Sequence, residues 1–82
     1  MYKTDERSKE VDVTCKITKH IAVLSTQRGG WSKELNLVSW SGNDPKYDIR
    51  GWNDEHTKCT KGISLSSAEL SELKDTLNSL DI

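Results

Sequence analysis

Three tryptophans, Trp31, Trp40 and Trp52, lie among Arg28, Lys33, Lys46, Arg50, Lys58 and Lys61 in the central part of the chain. An indole is a flat π surface on which a nucleobase stacks with little regard to its identity, each contact contributing about 1–3 kcal/mol. Cations set between such rings neutralise phosphates and release counterions. These residue types therefore suit adhesion to a single-stranded nucleic acid, a chemistry in which no bond is made or broken. Tryptophans in a small domain without phenylalanine also suit a plain core. The stretch KYDIRGW, residues 46–52, poses that choice directly. Its alternation sends Tyr47 and Ile49 one way and Lys46, Asp48, Arg50 and Trp52 the other. Arg50 and Asp48, two positions apart on one face, are placed to pair.

Bond-making chemistry finds little support. The two histidines, His20 and His56, have no nucleophile spaced beside them, and triads are defined by geometry, not by adjacency. The run Asp54-Glu55-His56 reads as a solvated turn. His56 and Cys59 offer two of the four ligands that a structural zinc site needs, and no second pair at ligand spacing exists. The glycines form no phosphate-binding loop. The expectation is a protein that is not an enzyme and uses no metal or cofactor.

An 82-residue chain is naturally one domain. With 33% hydrophobic and 30% charged residues its core is lean, and a domain this small buries a modest fraction of its surface. Dimerisation would cover what the monomer leaves exposed, so a homodimer is expected. A net charge of -1 argues against a general polyanion binder. The charge is unevenly spread, however. Residues 1–12 carry three basic and four acidic side chains, residues 13–65 eight and five, and residues 66–82 one and four. Any anion site should lie in the middle segment. Two cysteines, Cys15 and Cys59, are too few to staple a small secreted fold. The start of the chain is charged rather than apolar, and no apolar run comes near spanning length. A soluble cytoplasmic protein is the expectation.

The elements that must position these residues follow from periodicity. Residues 1–12 are read as a mobile charged tail, and residues 13–82 as the domain. Val13, Cys15, Ile17, Ile21 and Val23 recur at period two, which predicts a long strand bent near Lys19–His20. STQRGG makes a turn. In WSKELNLVSW, residues 31–40, Leu35 and Leu37 are expected to face the core, with Glu34, Asn36, Val38 and Trp40 on the other parity. SGNDP is a tight connection to the third strand, and residues 59–65 read as a fourth, with Cys59, Ile63 and Leu65 inward. Ser66 and Glu69 then form a capping box. Leu70, Leu73, Leu77 and Leu80 make a narrow stripe on a helix of roughly four turns, suited to packing on a sheet, on a partner's helix, or on both.

The strand core Asp48-Ile49-Arg50, the polar loop after it, the segment Lys61-Gly62-Ile63-Ser64-Leu65 and the leucine-bearing helix together resemble the positive-cofactor-four family of transcriptional coactivators. The run GWSKELNLVSWSGNDPKYDIRGWNDEH is similar to the family's short bacterial YdbC-type members. The resemblance spans residues from about Cys15 to Leu80. It implies an α+β fold, a curved four-stranded antiparallel sheet followed by one C-terminal helix, dimeric through sheet ridges and helices. Leu70, Leu73, Leu77 and Leu80 would then belong to the dimer interface. It also implies binding of single-stranded DNA with little sequence preference, in transcription or in DNA replication and repair. Carried over by position, Trp40 would stack on a base, Arg50 and Lys61 would meet the backbone, and Trp52 falls near another aromatic of the family. Lys33 and Lys46 lie at neighbouring strand positions. RNA is also an acceptable ligand for such a platform. The alternative from a different class is a protein-interaction module of the transcription machinery, with the tryptophans as core.

Overall fold

The alternating segments become, in the computed structural model, an open antiparallel sheet followed by one helix. The structure describes residues 15–82; the charged segment 1–12 and the expected start at Val13 lie outside the described residues. Strands β1 (Cys15–Thr26), β2 (Ser32–Trp40), β3 (Lys46–Trp52) and β4 (Ile63–Leu65) lie side by side in chain order, each antiparallel to its neighbour. Helix α1 covers Ser67–Asn78 and packs against β3 and β4. No helix among the described residues is long and apolar enough to cross a membrane.

The connections show why short polar segments suffice. Between β1 and β2, Gly29 and Gly30 both take positive φ inside the turn Arg28–Gly30. Between β2 and β3, Ser41 and Gly42 are both left-handed and the Asn43 N–H donates to the Trp40 carbonyl at 2.9 Å. Two positive φ values in succession match the right-handed twist of the flanking strands. At the start of α1 the expected capping box is complete. The Glu69 N–H donates to Ser66 Oγ at 3.1 Å, and the Ser66 N–H donates to Glu69 Oε1 at 2.8 Å. A cap of this kind contributes about 1 kcal/mol.

Strand β1 departs from the period-two expectation. Its register against β2 shifts between Ile17 and Lys19, between His20 and Ala22, and between Val23 and Ser25. Each shift inserts one extra residue, which bends the strand and raises its twist. The face opposite Val38, Asn36 and Glu34 is therefore supplied by Ile17, His20 and Val23, at intervals of three. Ile21 falls at a shift and drops out of that row. The bend is real, but it is repeated rather than confined to Lys19–His20.

Three further expectations need correction. Leu35 and Leu37 are only half-buried, whereas Glu34, Asn36, Val38 and Asp48 on the opposite parity are buried. The leucines face the helix side, where an apolar groove runs between Leu24, Leu35 and Ile49 of the sheet and Leu70, Leu73 and Leu77 of α1. The fourth strand is shorter than residues 59–65. Cys59 makes a single bridge to Trp52, and regular pairing resumes only at Ile63 opposite Ile49. Four steps on one side answer three on the other, so Ile63 lies on the helix side with Ile49 rather than on the face of Cys59, and it is exposed there. Finally, α1 ends at Asn78, so Leu80 lies beyond the helix.

Candidate nucleic-acid interface

Register decides which residues share the polar face. Glu34 lies opposite Arg50, Asn36 opposite Asp48, Val38 opposite Lys46, and Ser32 opposite Trp52. Across β1 and β2, Cys15 lies opposite Trp40 and His20 opposite Asn36. One face thus gathers four of the nine residues singled out in the sequence, Trp40, Lys46, Arg50 and Trp52. Lys33 lies on the other parity, opposite Gly51. Arg28 sits in the turn before β2, and Trp31 follows that turn immediately. Lys58 and Lys61 flank Cys59 in the segment joining β3 to β4.

Arg50 is the best-defined cation of the group. Its Nε and Nη2 each donate to the Asp48 carboxylate at 2.7 Å, a bidentate pair. The pairing suggested by their spacing is present. Such charge-assisted forks are about twice as strong as neutral hydrogen bonds. Ser64 Oγ donates to the same carboxylate at 3.0 Å, and Asp48 is fully buried beneath these partners. Burial opposes the charge on Arg50, but the hydrogen bonds and charge of Asp48 outweigh it and push its pKa above the ordinary value. The guanidinium carbon then sits 4.5 Å from the centroid of the Trp40 ring, a cation–π contact. Arg50 is thereby fixed on both sides, and its Nη1 also donates to the Thr60 carbonyl at 3.4 Å.

A second network surrounds Glu34, which sequence reasoning missed. Its carboxylate accepts from Ser32 Oγ at 2.5 Å, from Asn36 Nδ2 at 3.1 Å and from His56 Nε2 at 3.0 Å. Burial would raise its pKa, but the hydrogen bonds from Ser32, Asn36 and His56, with the charge of His56, hold it below the ordinary value. His56 is therefore no free member of a solvated turn. It takes a left-handed φ of 58°, and its ring stacks on Trp52 with centroids 5.8 Å apart at 26°. Trp52 does share a face with Arg50, but it is 2% exposed. Of the two roles that the 46–52 stretch poses for Trp52, the structure shows the buried one, with His56 lying over it in place of a base. The signal in the sequence was the parity that puts Glu34 with Arg50 and Asn36 with Asp48; nothing in it pointed to His56, 22 positions away from Glu34.

The indole nitrogens of Trp40 and Trp52 are buried without a hydrogen-bond partner. Cys15 and Cys59 are free thiols; burial, and then the neighbouring Cys59, push the Cys15 pKa up. Among the described residues no group of three or more His, Cys, Asp or Glu could hold a metal ion.

Residues 28–76, which contain β2, β3, β4 and most of α1, match the family model described as Transcriptional Coactivator p15 (PC4). The chain belongs to the PC4 family. This is a family of nucleic-acid-binding, non-enzymatic proteins, and the matched segment includes the whole Trp40–Arg50–Asp48 cluster. The chain is also similar to an uncharacterized protein of Treponema pallidum (strain Nichols), 42% identical over 71 residues that cover 87% of this chain and 84% of that protein.

Proposed function

We propose that this PC4-family protein binds single-stranded DNA with little sequence preference, as a homodimer, through the polar face of its sheet, in transcription or in DNA replication and repair. The observation that carries this reading is the Arg50 guanidinium, held by Asp48 and seated on Trp40. A fixed cation beside an indole serves a phosphate and a base at neighbouring positions, and neither contact reads sequence. Lys46 on the same face, and the exposed Arg28, Lys58 and Lys61 around its rim, supply further charge. Trp31 would contribute from the margin, whereas Lys33 lies on the opposite face. Leu70, Leu73 and Leu77, with Leu80 just past the helix, would face the partner copy.

Tryptophan fluorescence during titration with oligothymidine tests the proposal, at low and moderate salt and with an equal length of duplex as control. Saturable quenching that prefers the single strand and weakens with salt is expected. Trp40→Ala should cost about 1–3 kcal/mol of binding without changing the salt slope, whereas Lys46→Ala should lower the slope by about 1. Absence of quenching at low salt would remove nucleic acid as the ligand and leave a protein-interaction module.

A further inference from the structure

Beside the Trp40–Arg50 pair, on the same face, lies an open cleft of about 450 Å³ lined by Ile17, His20, Val23, Glu34 and His56. The repeated shifts in β1 bring Ile17, His20 and Val23 to one wall. Two of these are aliphatic and suit the flat face of an unsaturated ring. The hydrogen-bonding sense of the cleft follows from Glu34. Its carboxylate is ionised, for the reasons given above, so both oxygens can only accept. Asn36, fully buried between them, must therefore turn its amide nitrogen to Glu34 and its carbonyl oxygen to His20 Nδ1, 2.7 Å away. A carbonyl oxygen also only accepts, so Nδ1 carries the proton. In the neutral ring Nε2 is then a bare acceptor. The His20 side chain is 51% exposed, with its Nδ1 side tied inward. His56 has no equivalent free atom, since Nε2 is held by Glu34 and Nδ1 lies 3.2 Å from the Asp54 carbonyl.

We infer that this cleft is a base-reading position for a nucleobase with a ring N–H at its pairing edge, thymine, uracil or guanine, which donates that N–H to His20 Nε2. Adenine and cytosine present a lone pair at the equivalent ring nitrogen and meet His20 acceptor to acceptor. The inference rests on the single-strand reading above and adds one selective position to an otherwise indifferent surface. A base edge matched to one hydrogen bond gives modest discrimination, about two- to tenfold.

The test compares a labelled oligothymidine with the same length of N3-methylthymidine by fluorescence anisotropy at pH 8 and fixed salt. Methylation removes the N–H and keeps the ring and the backbone. The methylated strand should bind about two- to tenfold more weakly, and His20→Phe, which keeps a flat ring without the nitrogen, should bind both strands alike. Equal affinity of the two strands for the unsubstituted protein overturns the base-reading position while the single-strand reading stands. A difference that persists in His20→Phe also overturns it, as a steric effect of the methyl group. Failure of both strands to bind overturns both readings. Should His20→Phe not fold, His20→Leu, which also lacks the ring nitrogen, takes its place in the same comparison.

Discussion

Glu34 holds a negative charge in the middle of a face proposed to meet a polyanion, and the structure shows how that charge is absorbed. Three donors, Ser32, Asn36 and His56, converge on one carboxylate. Its folded-state pKa is depressed, so its contribution to stability is fully present above the ordinary value of 4.5 and is lost as pH falls through the lower folded value. The melting temperature should therefore decline below about pH 4.5, and Glu34→Gln should flatten that decline. At neutral pH the same substitution should cost about 1–3 kcal/mol, because it breaks a buried network. Circular dichroism melts of both proteins from pH 7 to pH 3 check both statements; a Gln variant with the parent's acid profile would assign the acid loss to another carboxylate. At this scale the sequence was half legible. The Arg50–Asp48 pair follows from parity within one strand. The Glu34–His56 pair does not, since it depends on a left-handed residue in a loop, and loops have no periodicity from which to read it. For the same reason Trp52 looked accessible until the ring above it was located.

At the scale of elements, the type of each segment was legible and its detail was not. Strands β2 and β3 keep a strict period of two over their paired length, and the capping box marks the helix start. Period two fails in β1, where an extra residue enters at each shift, and in β4, where Gly62 intervenes. Gly62 explains why residues 59–65 do not form one strand and why the KGISL segment contains glycine. A Cβ there would overlap the Ile49 carbonyl oxygen and the Arg50 Cβ. The chain comes down directly on the β3 backbone at the point where Arg50 must be held. Gly62→Ala should thus cost at least about 2 kcal/mol through overpacking, read as a lower urea midpoint with unchanged slope. It should also weaken oligothymidine binding, since Arg50 would shift. A variant of unaltered stability would mean that β4 has room to move. Strands can be foreseen from alternation, but a site where one backbone must touch another cannot.

The whole molecule is short of apolar burial. Val38 and Trp52 are the hydrophobic residues buried among those described, while Leu24, Ile63 and Leu77 remain about half exposed. The groove between α1 and the sheet is open and apolar, lined by Leu24, Leu35, Ile49, Leu70, Leu73 and Leu77. The proposed dimer would cover this side and leave the polar face free. It predicts a thermal midpoint that rises with protein concentration, and sedimentation at twice the 9.3 kDa chain mass. Leu77→Asp should lower both. A midpoint independent of concentration, with sedimentation at the chain mass, would exclude the dimer. The bent first strand has a consequence beyond shaping a cleft. Among the described residues it is one rim of an open sheet, and a rim normally exposes a straight row of amides that can recruit strands from other molecules into fibrils. Three inserted residues within Cys15–Thr26 break that row at short intervals, so a protein with this much exposed aliphatic surface can meet a second copy face to face without propagating edge to edge.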